Sequence, residues 1–383
     1  MTPFDLRRAG DHRIPLSILD LSPISEGNDA STALRNTIDL ARHAERWGFH
    51  RYWVAEHHFV SVASSSPAVL IGQIAAATDR IRVGSAAVQL GFTTAVAVVE
   101  SFGMLDAFHP GRIDLGLGRS GQRRAHALQG AEPPPTTPAG EWREIDGVIV
   151  PPAYDVSALM RRPRLQAQMS ALQQPDAVTP DFAEQVDDIL AMLNGDYRID
   201  GIDTAAVPGD GVRLTPWIFG SSKGQSAQVA AARGLPFVAS YHITPATALD
   251  AIDAYRNAFR PSAALPEPYV VVSADIVVAD DTATARHLAA SYGRWVYSIR
   301  VGDGAIPYPD PDTCQPLTKE QQDVVIDRTA TQFVGDPDEV AEGLARLQRA
   351  AGADELVVTS VTYRHTDRLR SHELIAKRWG LAG

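Results

Sequence analysis

The stretch GRIDLGLGRSGQ, from Gly111 to Gln122, reads as a short strand followed by glycines at positions 116, 118 and 121. Glycines spaced G-x-G-x-x-G after a strand are typical of a dinucleotide-binding Rossmann fold if a helix opens on them. The segment that follows, RRAHALQGAEPPPTTP, is basic and is soon interrupted by prolines. Arg119 also stands inside the motif, where backbone amides should meet a pyrophosphate. The stretch therefore indicates a strand with a glycine-rich end, and it disfavours the Rossmann interpretation.

Composition limits the class of protein. The chain has 383 residues and a formal net charge of −11 without a basic run, which argues against nucleic acid and anionic membranes as partners. Cys314 is the one cysteine, so an internal disulfide is excluded. Charges near the N-terminus disfavour a signal peptide. We therefore expect a cytoplasmic protein whose residues 1–383 form one domain.

Strand-like and helix-like segments alternate along most of the chain, which predicts an α/β fold. Eight such strands with long loops after them favour a (β/α)8 TIM barrel, and a doubly wound sheet is the alternative. The predicted strands are PLSILDL, RYWVAEHH, IRVGSAAVQL, RIDLGLG, LTPWIFGSS, LPFVASYH, PYVVVSADIVVAD and ADELVVTSV.

Two proline-rich segments interrupt this alternation. Residues 120–178 contain EPPPTTPAGEW and VPPAY, and we expect an insertion with little regular structure. Residues 300–318 contain VGDGAIPYPDPDTCQPL. Long polar loops beside strand ends often close over a site, so we predict that residues 300–318 form a mobile lid.

The tripeptide EHH, Glu56 to His58, ends the second predicted strand. Adjacent strand residues point to opposite sides, so one histidine can readily face the mouth of a barrel. A histidine and carboxylate metal site is one interpretation, but no second cluster with ligand spacing appears in the sequence. A structural role at the strand end is another. A catalytic or cofactor-binding role is the third, since a free imidazole titrates near pH 6.5, about where acid–base catalysis needs it.

The segment GSSKGQS lies between the fifth predicted strand and a helix. Hydroxyl groups and backbone amides at a helix N-terminus favour a phosphate, although Ser222 and Ser226 could act only as helix caps. Arg119 ends the fourth strand, which neighbours the fifth in a barrel. Its guanidinium could therefore meet the same phosphate.

These residues resemble the bacterial luciferase-like family of flavin-dependent monooxygenases. The resemblance covers most of residues 14–122 and 214–242 and a short stretch near the C-terminus. The stretches that carry it are YWVAEHHF, RIRVGSAAVQL, LDAFHPGRIDLGLGRSG, PWIFGSSKGQSAQVAAARGLPF and VGDPDEVAEGL.

The resemblance implies that reduced FMN binds at the barrel mouth and reacts with O2 to form a flavin 4a-hydroperoxide. One oxygen atom then enters a small organic substrate. The resemblance also implies a cis peptide bond between Ala86 and Ala87 under the flavin, and it implies no metal. The implied catalytic residue is His57, and the implied cofactor-binding residues are Glu56, Ala86, Ala87, Arg119, Gly220, Ser221, Ser222 and Ser226.

No segment resembles a separate NAD(P)H domain, so a partner reductase is expected to supply reduced flavin to a homodimer. The resemblance fades over residues 123–213 and 300–320, which leaves the substrate open, including whether it is an aldehyde. Two alternatives remain. One is a deazaflavin-dependent oxidoreductase on the same barrel, and the other is a flavin-binding subunit without turnover.

Overall fold

A computed structural model describes residues 14–119, 140–301 and 304–381. Eight parallel strands close into a barrel in chain order, because the last strand pairs with the first as well as with its predecessor. This confirms the predicted (β/α)8 barrel, and an open doubly wound sheet is excluded. The strands are β1 (Leu16–Asp20), β2 (Arg51–Val54), β3 (Arg82–Ser85), β4 (Ile113–Gly118), β5 (Pro216–Gly220), β6 (Phe237–Ala239), β7 (Val270–Val278) and β8 (Glu355–Thr359).

Eight helices surround the barrel, and each contacts the next around a closed ring. Local signals set their ends. The first helix starts at Asp29, whose carboxylate accepts from Thr32 N at 2.7 Å, and stops at Gly48, which has a φ of 83°. The helices are α1 (Ala30–Trp47), α2 (Pro67–Ala76), α3 (Ala95–Phe108), α4 (Phe182–Asn194), α5 (Gln225–Ala232), α6 (Ala248–Ala258), α7 (Pro337–Ala351) and α8 (His365–Trp379).

The barrel interior has a charged floor at the amino ends of the strands. Arg51 donates to Asp114 at 2.6 Å and to Glu355 at 3.2 Å, and all three side chains are buried. Above this floor, the rings of Trp53 and Trp217 pack edge to face with centroids 5.5 Å apart. Aromatic side chains therefore fill the barrel below its mouth.

Glycines in β3 and β4 make this packing possible. A Cβ on Gly84 would lie 2.6 Å from the ring of Trp53. A Cβ on Gly116 would lie 1.8 Å from the carbonyl oxygen of Ser85 and 2.6 Å from the ring of Phe219. Gly116 of the opening motif thus lets the backbones of β3 and β4 approach each other, which is a packing role within the barrel.

The segment between β7 and β8 differs from the sequence prediction. One helix was expected over DTATARHLAASYGRWVYSI, but the chain forms two, Thr282–Leu288 and Tyr292–Arg300. A further helix, Lys319–Thr329, and a short strand, Phe333–Gly335, were not predicted. Of the Lys319–Thr329 helix only Val325 and Asp327 are buried, so it has no apolar stripe to mark it in the sequence.

The expectation of little regular structure over residues 120–178 was partly wrong. Its first part, 120–139, lies outside the described residues. The remainder contains a hairpin, Arg143–Ile145 with Val148–Val150, and two short helices, Ser157–Met160 and Pro163–Ser170. Shorter elements elsewhere are the 3-10 helix Leu90–Phe92, the strand Val88–Gln89 beside β4, and the hairpin Arg198–Ile199 with Ile202–Asp203.

The segment predicted as a lid packs against two loops at the barrel mouth. Tyr308 N donates to Ile24 O at 2.8 Å, and Ser61 N donates to Ala305 O at 2.8 Å. The Tyr308 side chain is fully buried. Positions 302 and 303 of the predicted lid lie outside the described residues.

In the described part of the chain, no helix combines the length and the apolar character that crossing a membrane requires.

Candidate active site

Polar residues lie at or just beyond the carboxyl ends of three strands. Val271 of β7 belongs to the buried cluster inside the barrel, and side chains alternate along a strand, so Ser273 and Asp275 of the same strand also face the axis. His57 follows the end of β2, and Ser240 and His242 follow the end of β6.

The EHH tripeptide is divided between two environments. Glu56 Oε1 accepts from His58 Nε2 at 2.9 Å, and its Oε2 accepts from Gln89 N at 2.9 Å. Gln89 also donates from its side chain to Glu56 O at 2.8 Å. His57 N donates to Ser64 O at 2.9 Å, which fixes the backbone at this residue. β2 ends at Val54, so all three residues lie beyond the strand that was predicted to include them.

His242 is the second imidazole at the mouth. Its Nδ1 is hydrogen-bonded to the hydroxyl of buried Ser273, and its side chain is also buried. Burial lowers the pKa of His242 to about 3, and the nearby charges of Arg328 and His57 add to this effect. His242 is therefore neutral at pH 7. The effect of His57 on this pKa also places the two histidines within electrostatic range of each other.

Asp275 anchors a buried polar group beside His242. Tyr292 donates its hydroxyl hydrogen to Asp275 Oδ2, and Arg328 Nη2 lies 3.4 Å from the same oxygen. Burial raises the pKa of Asp275, and the opposing effects of Arg328 and Tyr292 do not cancel this rise. The mouth thus contains a largely buried guanidinium in contact with a buried carboxyl group.

Sequence reasoning missed most of this group. Ser273 and Asp275 lie inside the predicted strand PYVVVSADIVVAD, and the alternation along it could have marked both as inward. Arg328 belongs to the helix that was not predicted, and no local signal connects it to the barrel mouth.

Arg119 and the loop after β5 come together, as the sequence predicts. β4 and β5 are paired, with Gly118 opposite Phe219. Arg119 Nη1 donates to Gln225 Oε1 at 2.9 Å. A Cβ on Gly224 would lie 3.4 Å from Ser222 Oγ and 3.7 Å from Arg119 Nη2, so the guanidinium borders the Ser222–Gly224 turn.

This turn leads directly into α5. Its N-cap residue is Gly224, which has no side chain with which to cap the first turn. Backbone amides at such an end, together with a guanidinium and a hydroxyl, suit a phosphate group. Asp181, at the start of α4, accepts from Gln225 Nε2 at 2.7 Å and so holds Gln225 against Arg119.

The other predicted residues of this loop have contacts within the protein. A Cβ on Gly220 would lie 2.8 Å from Ser226 Cβ, so the strand end packs closely on the buried Ser226. The carbonyl oxygen of Ser221 accepts from the hydroxyl group of Thr247. Ser222 is thus the serine of this loop that lies beside Arg119.

The peptide bond between Ala86 and Ala87 is cis, as the resemblance implies. It lies at the mouth, because Ala86 N donates to Val54 O, at the end of β2, at 2.7 Å. A Cβ on Gly118 would lie 3.2 Å from Ala87 Cβ. The cis bond therefore lies between Glu56 and the glycine-rich end of β4.

Comparison with known proteins assigns the family. The luciferase-like monooxygenase family matches residues 14–149 and 164–355. A luciferase-like monooxygenase of Escherichia coli (strain K12) is 36% identical over 369 residues, which cover 95% of this chain and 96% of that protein. The solved structure of apo-MsnO8 superposes with a TM-score of 0.75 at 29% identity and covers 96% of this chain and 99% of that one.

A more distant structure has the same fold. It is the oxygenating constituent of 3,6-diketocamphane monooxygenase of Pseudomonas putida, a type II Baeyer–Villiger monooxygenase in complex with FMN. It superposes with a TM-score of 0.61 at 18% identity and covers 95% of this chain and 97% of that chain. From the match over most of its length, the chain belongs to the luciferase-like monooxygenase family.

Proposed function

We propose that this protein is a flavin-dependent monooxygenase that uses reduced FMN and O2 to insert one oxygen atom into a small organic substrate. The second oxygen atom leaves as water, and the two electrons come from the reduced flavin. The observation that carries the proposal is that Arg119 contacts Gln225 and borders the Ser222–Gly224 turn at the start of α5, at the same end of the barrel as His57.

The residues around this turn suit the phosphate of FMN. Arg119 supplies a cationic donor, Ser222 a hydroxyl and the first turn of α5 its backbone amides. Phosphates favour such sites because the helix dipole and the guanidinium both stabilise negative charge. We assign Gly220, Ser221 and Ser226 to shaping this loop, since each is held by contacts within the protein.

The residues toward the axis suit the flavin ring. Ala86 and Ala87 lie at the end of β3, and Glu56, after the neighbouring β2, has its carboxylate held by His58 and Gln89. Bound there, reduced flavin would supply the electrons and the activation of O2. His57 would hold or move a proton beside the reacting atoms, while neutral His242 lines the same space.

Three further features belong to this proposal. A separate reductase supplies the reduced flavin. The chain forms a homodimer, and exposed apolar side chains on α2 and α3 offer it a surface, with Val69 68%, Met104 53% and Phe108 75% exposed. Residues 304–318 cover the mouth and exclude water during the reaction.

Turnover with a flavin reductase tests the proposal. The purified protein, FMN, NADH and a reductase are incubated in air with a panel of aldehydes, cyclic ketones and thioethers. We expect an oxygen-dependent product that incorporates one atom of labelled O2. The same assay with reduced deazaflavin tests the alternative cofactor, and it should give no product. FMN binding without any product across the panel would favour a non-catalytic subunit.

A further inference from the structure

Arg328 is a buried cation that uses little of its hydrogen-bonding capacity. Its side chain is 12% exposed, and Nη2 donates to Tyr292 Oη at 2.7 Å and lies 3.4 Å from Asp275 Oδ2. Its Nε is buried and has no acceptor among the described residues. Buried guanidinium groups normally have most of their donors satisfied. Part of its donor capacity is therefore left unused by the described residues.

Two other buried donors lie in the same cluster. Neither the Tyr308 hydroxyl nor Trp295 Nε1 meets an acceptor within the described ranges. The rings of Trp295 and Tyr308 have centroids 6.1 Å apart, and those of Tyr292 and Trp295 are 6.2 Å apart. Contacts thus connect Arg328 to both donors through Tyr292. This part of the mouth has more donors than acceptors, and a ligand with several acceptor oxygens would satisfy them.

The charges around Arg328 also favour an anion. Among the described residues, Asp275 is the one carboxylate that accepts a hydrogen bond from Arg328, and that contact is 3.4 Å long. Asp327, whose charge also acts on Arg328, is already bound by Arg300. His242, whose pKa the charge of Arg328 lowers, is neutral at pH 7. A carboxylate on a ligand would thus not have to displace a close carboxylate partner of Arg328.

This cluster belongs to the same mouth as the proposed reaction centre. The charges of Arg328 and His57 both act on His242, and Asp275 occupies the inward position two residues after Ser273. A group bound by Arg328 would thus belong to a molecule that also reaches the neighbourhood of His57.

We infer that Arg328 binds a carboxylate group of the substrate, so the substrate class is an organic acid whose oxidisable group extends toward His57. The inference rests on the proposed function, since it assigns a substrate to that site. Arg328 is the specificity-determining residue, and Tyr308 supplies a further hydrogen bond to the same carboxylate.

A matched pair of probes tests the inference. N-acetyl-L-methionine carries a carboxylate and an oxidisable sulfur, and its primary amide lacks the charge. Binding of each is measured anaerobically by calorimetry on the full chain, with and without oxidised FMN. We expect the wild-type protein to bind the acid about 10- to 100-fold more tightly than the amide, the range of a charge-assisted hydrogen bond.

Variants connect this preference to the residue. Arg328→Met should abolish it, Arg328→Lys should retain part of it, and Lys319→Met, on the exposed face of the same helix, should leave it unchanged. Arg328→Met also leaves Asp275 unpaired, so the double variant Arg328→Met/Asp275→Asn serves as a second test if the single variant melts early. A wild-type protein without acid preference, or a folded Arg328→Met variant that keeps it, overturns the inference.

FMN binding distinguishes a failure of the carboxylate inference from a failure of the proposed function. A protein that binds FMN and oxygenates a neutral substrate, but shows no acid preference, overturns the carboxylate assignment alone. A protein that shows the Arg328-dependent preference but binds no FMN overturns the monooxygenase proposal and leaves the carboxylate site in place.

Discussion

Oε1 of Glu56 lies 2.9 Å from Nε2 of His58. The first and third residues of the EHH tripeptide are thus hydrogen-bonded to each other. The charge of His57, the residue between them, acts on the other imidazole at the mouth, His242. The two adjacent histidines thus have different surroundings, and their roles can be separated by mutation.

His57→Ala should reduce oxygenated product by about 10²–10⁴-fold, the usual contribution of general acid–base catalysis. FMN affinity should change little, because the proposed phosphate site is at Arg119. Reduced flavin would still react with O2, so hydrogen peroxide should appear in place of product. Product and peroxide are measured per FMN oxidised, together with the melting temperature. His109→Ala is the control, because His109 ends α3 just before the amino end of β4, which is the end of the barrel away from the mouth.

A purely structural role for His57 predicts another result. The variant would then melt early, and product and peroxide would fall together in the protein that remains folded. If a stable His57→Ala variant forms as much oxygenated product per FMN oxidised as the wild type does, the catalytic role is ruled out.

Arg119→Ala should weaken FMN binding by about 1.5–3 kcal/mol, the scale of a charge-assisted hydrogen bond. Riboflavin lacks the phosphate and should bind the wild type and the variant equally. Arg213→Ala, on the exposed loop that leads into β5, should alter neither affinity. Fluorescence titration with both ligands measures the effect. Equal losses for FMN and riboflavin would show that Arg119 does not contact the phosphate.

Local patterns are enough to predict the barrel and one side of its mouth. Eight strand-like segments with helices between them define the fold, because their hydrophobic patterns and many of their caps, such as Asp29 and Gly48 at the two ends of α1, are local. Arg119 and Ser222 could also be brought together, since consecutive strands of a barrel are neighbours. The sequence could not predict the side of the mouth at Arg328. The helix Lys319–Thr329 that carries this residue is polar on most faces, and it reaches Asp275 only through tertiary packing. A contact between residues so far apart in the sequence leaves no local pattern from which it could be predicted.

Flavin binding should protect the segment after Tyr308 from proteolysis. Residues 304–308 are fixed by backbone hydrogen bonds to neighbouring loops, whereas Asp312, Thr313 and Gln315 are exposed. Proteinase K should therefore cut near residues 312–316, and more slowly when FMN is present. Mass spectrometry of timed digests locates the cut. A rate that does not depend on FMN would remove the proposal that this segment acts as a lid.

Acid should destabilise the barrel floor through Asp114. Burial alone would raise its pKa, but Arg51 and Arg82 lower it from 3.8 to about 2. Because the pKa of the folded state is depressed, the stabilisation is fully present above the unfolded value and is lost as the pH falls toward 2. The shift corresponds to about 2 kcal/mol of unfolding free energy between pH 5 and pH 2.

Asp114→Asn should remove that part of the pH dependence. It should also cost about 3–5 kcal/mol at pH 7, because it leaves the buried guanidinium of Arg51 and the half-buried one of Arg82 with less compensation. Urea denaturation at several pH values measures both effects, with the exposed Asp79→Asn as the control. Parallel pH profiles for the wild type and Asp114→Asn would contradict the assignment of this window to Asp114.

Gly116→Ala tests the packing role of the opening glycine motif. The added Cβ would lie 1.8 Å from the carbonyl oxygen of Ser85, and backbone of a neighbouring strand cannot move aside as a flexible side chain can. We expect a loss of at least about 3 kcal/mol of unfolding free energy, at the upper end for overpacked cores. Gly140→Ala is the matched control, because no atom lies within 4 Å of its added Cβ. Chemical denaturation followed by circular dichroism compares the two variants. If Gly116→Ala unfolds within about 1 kcal/mol of the wild type, the close approach of β3 and β4 at this glycine is wrong, and the motif must owe its glycines to a ligand at the mouth instead.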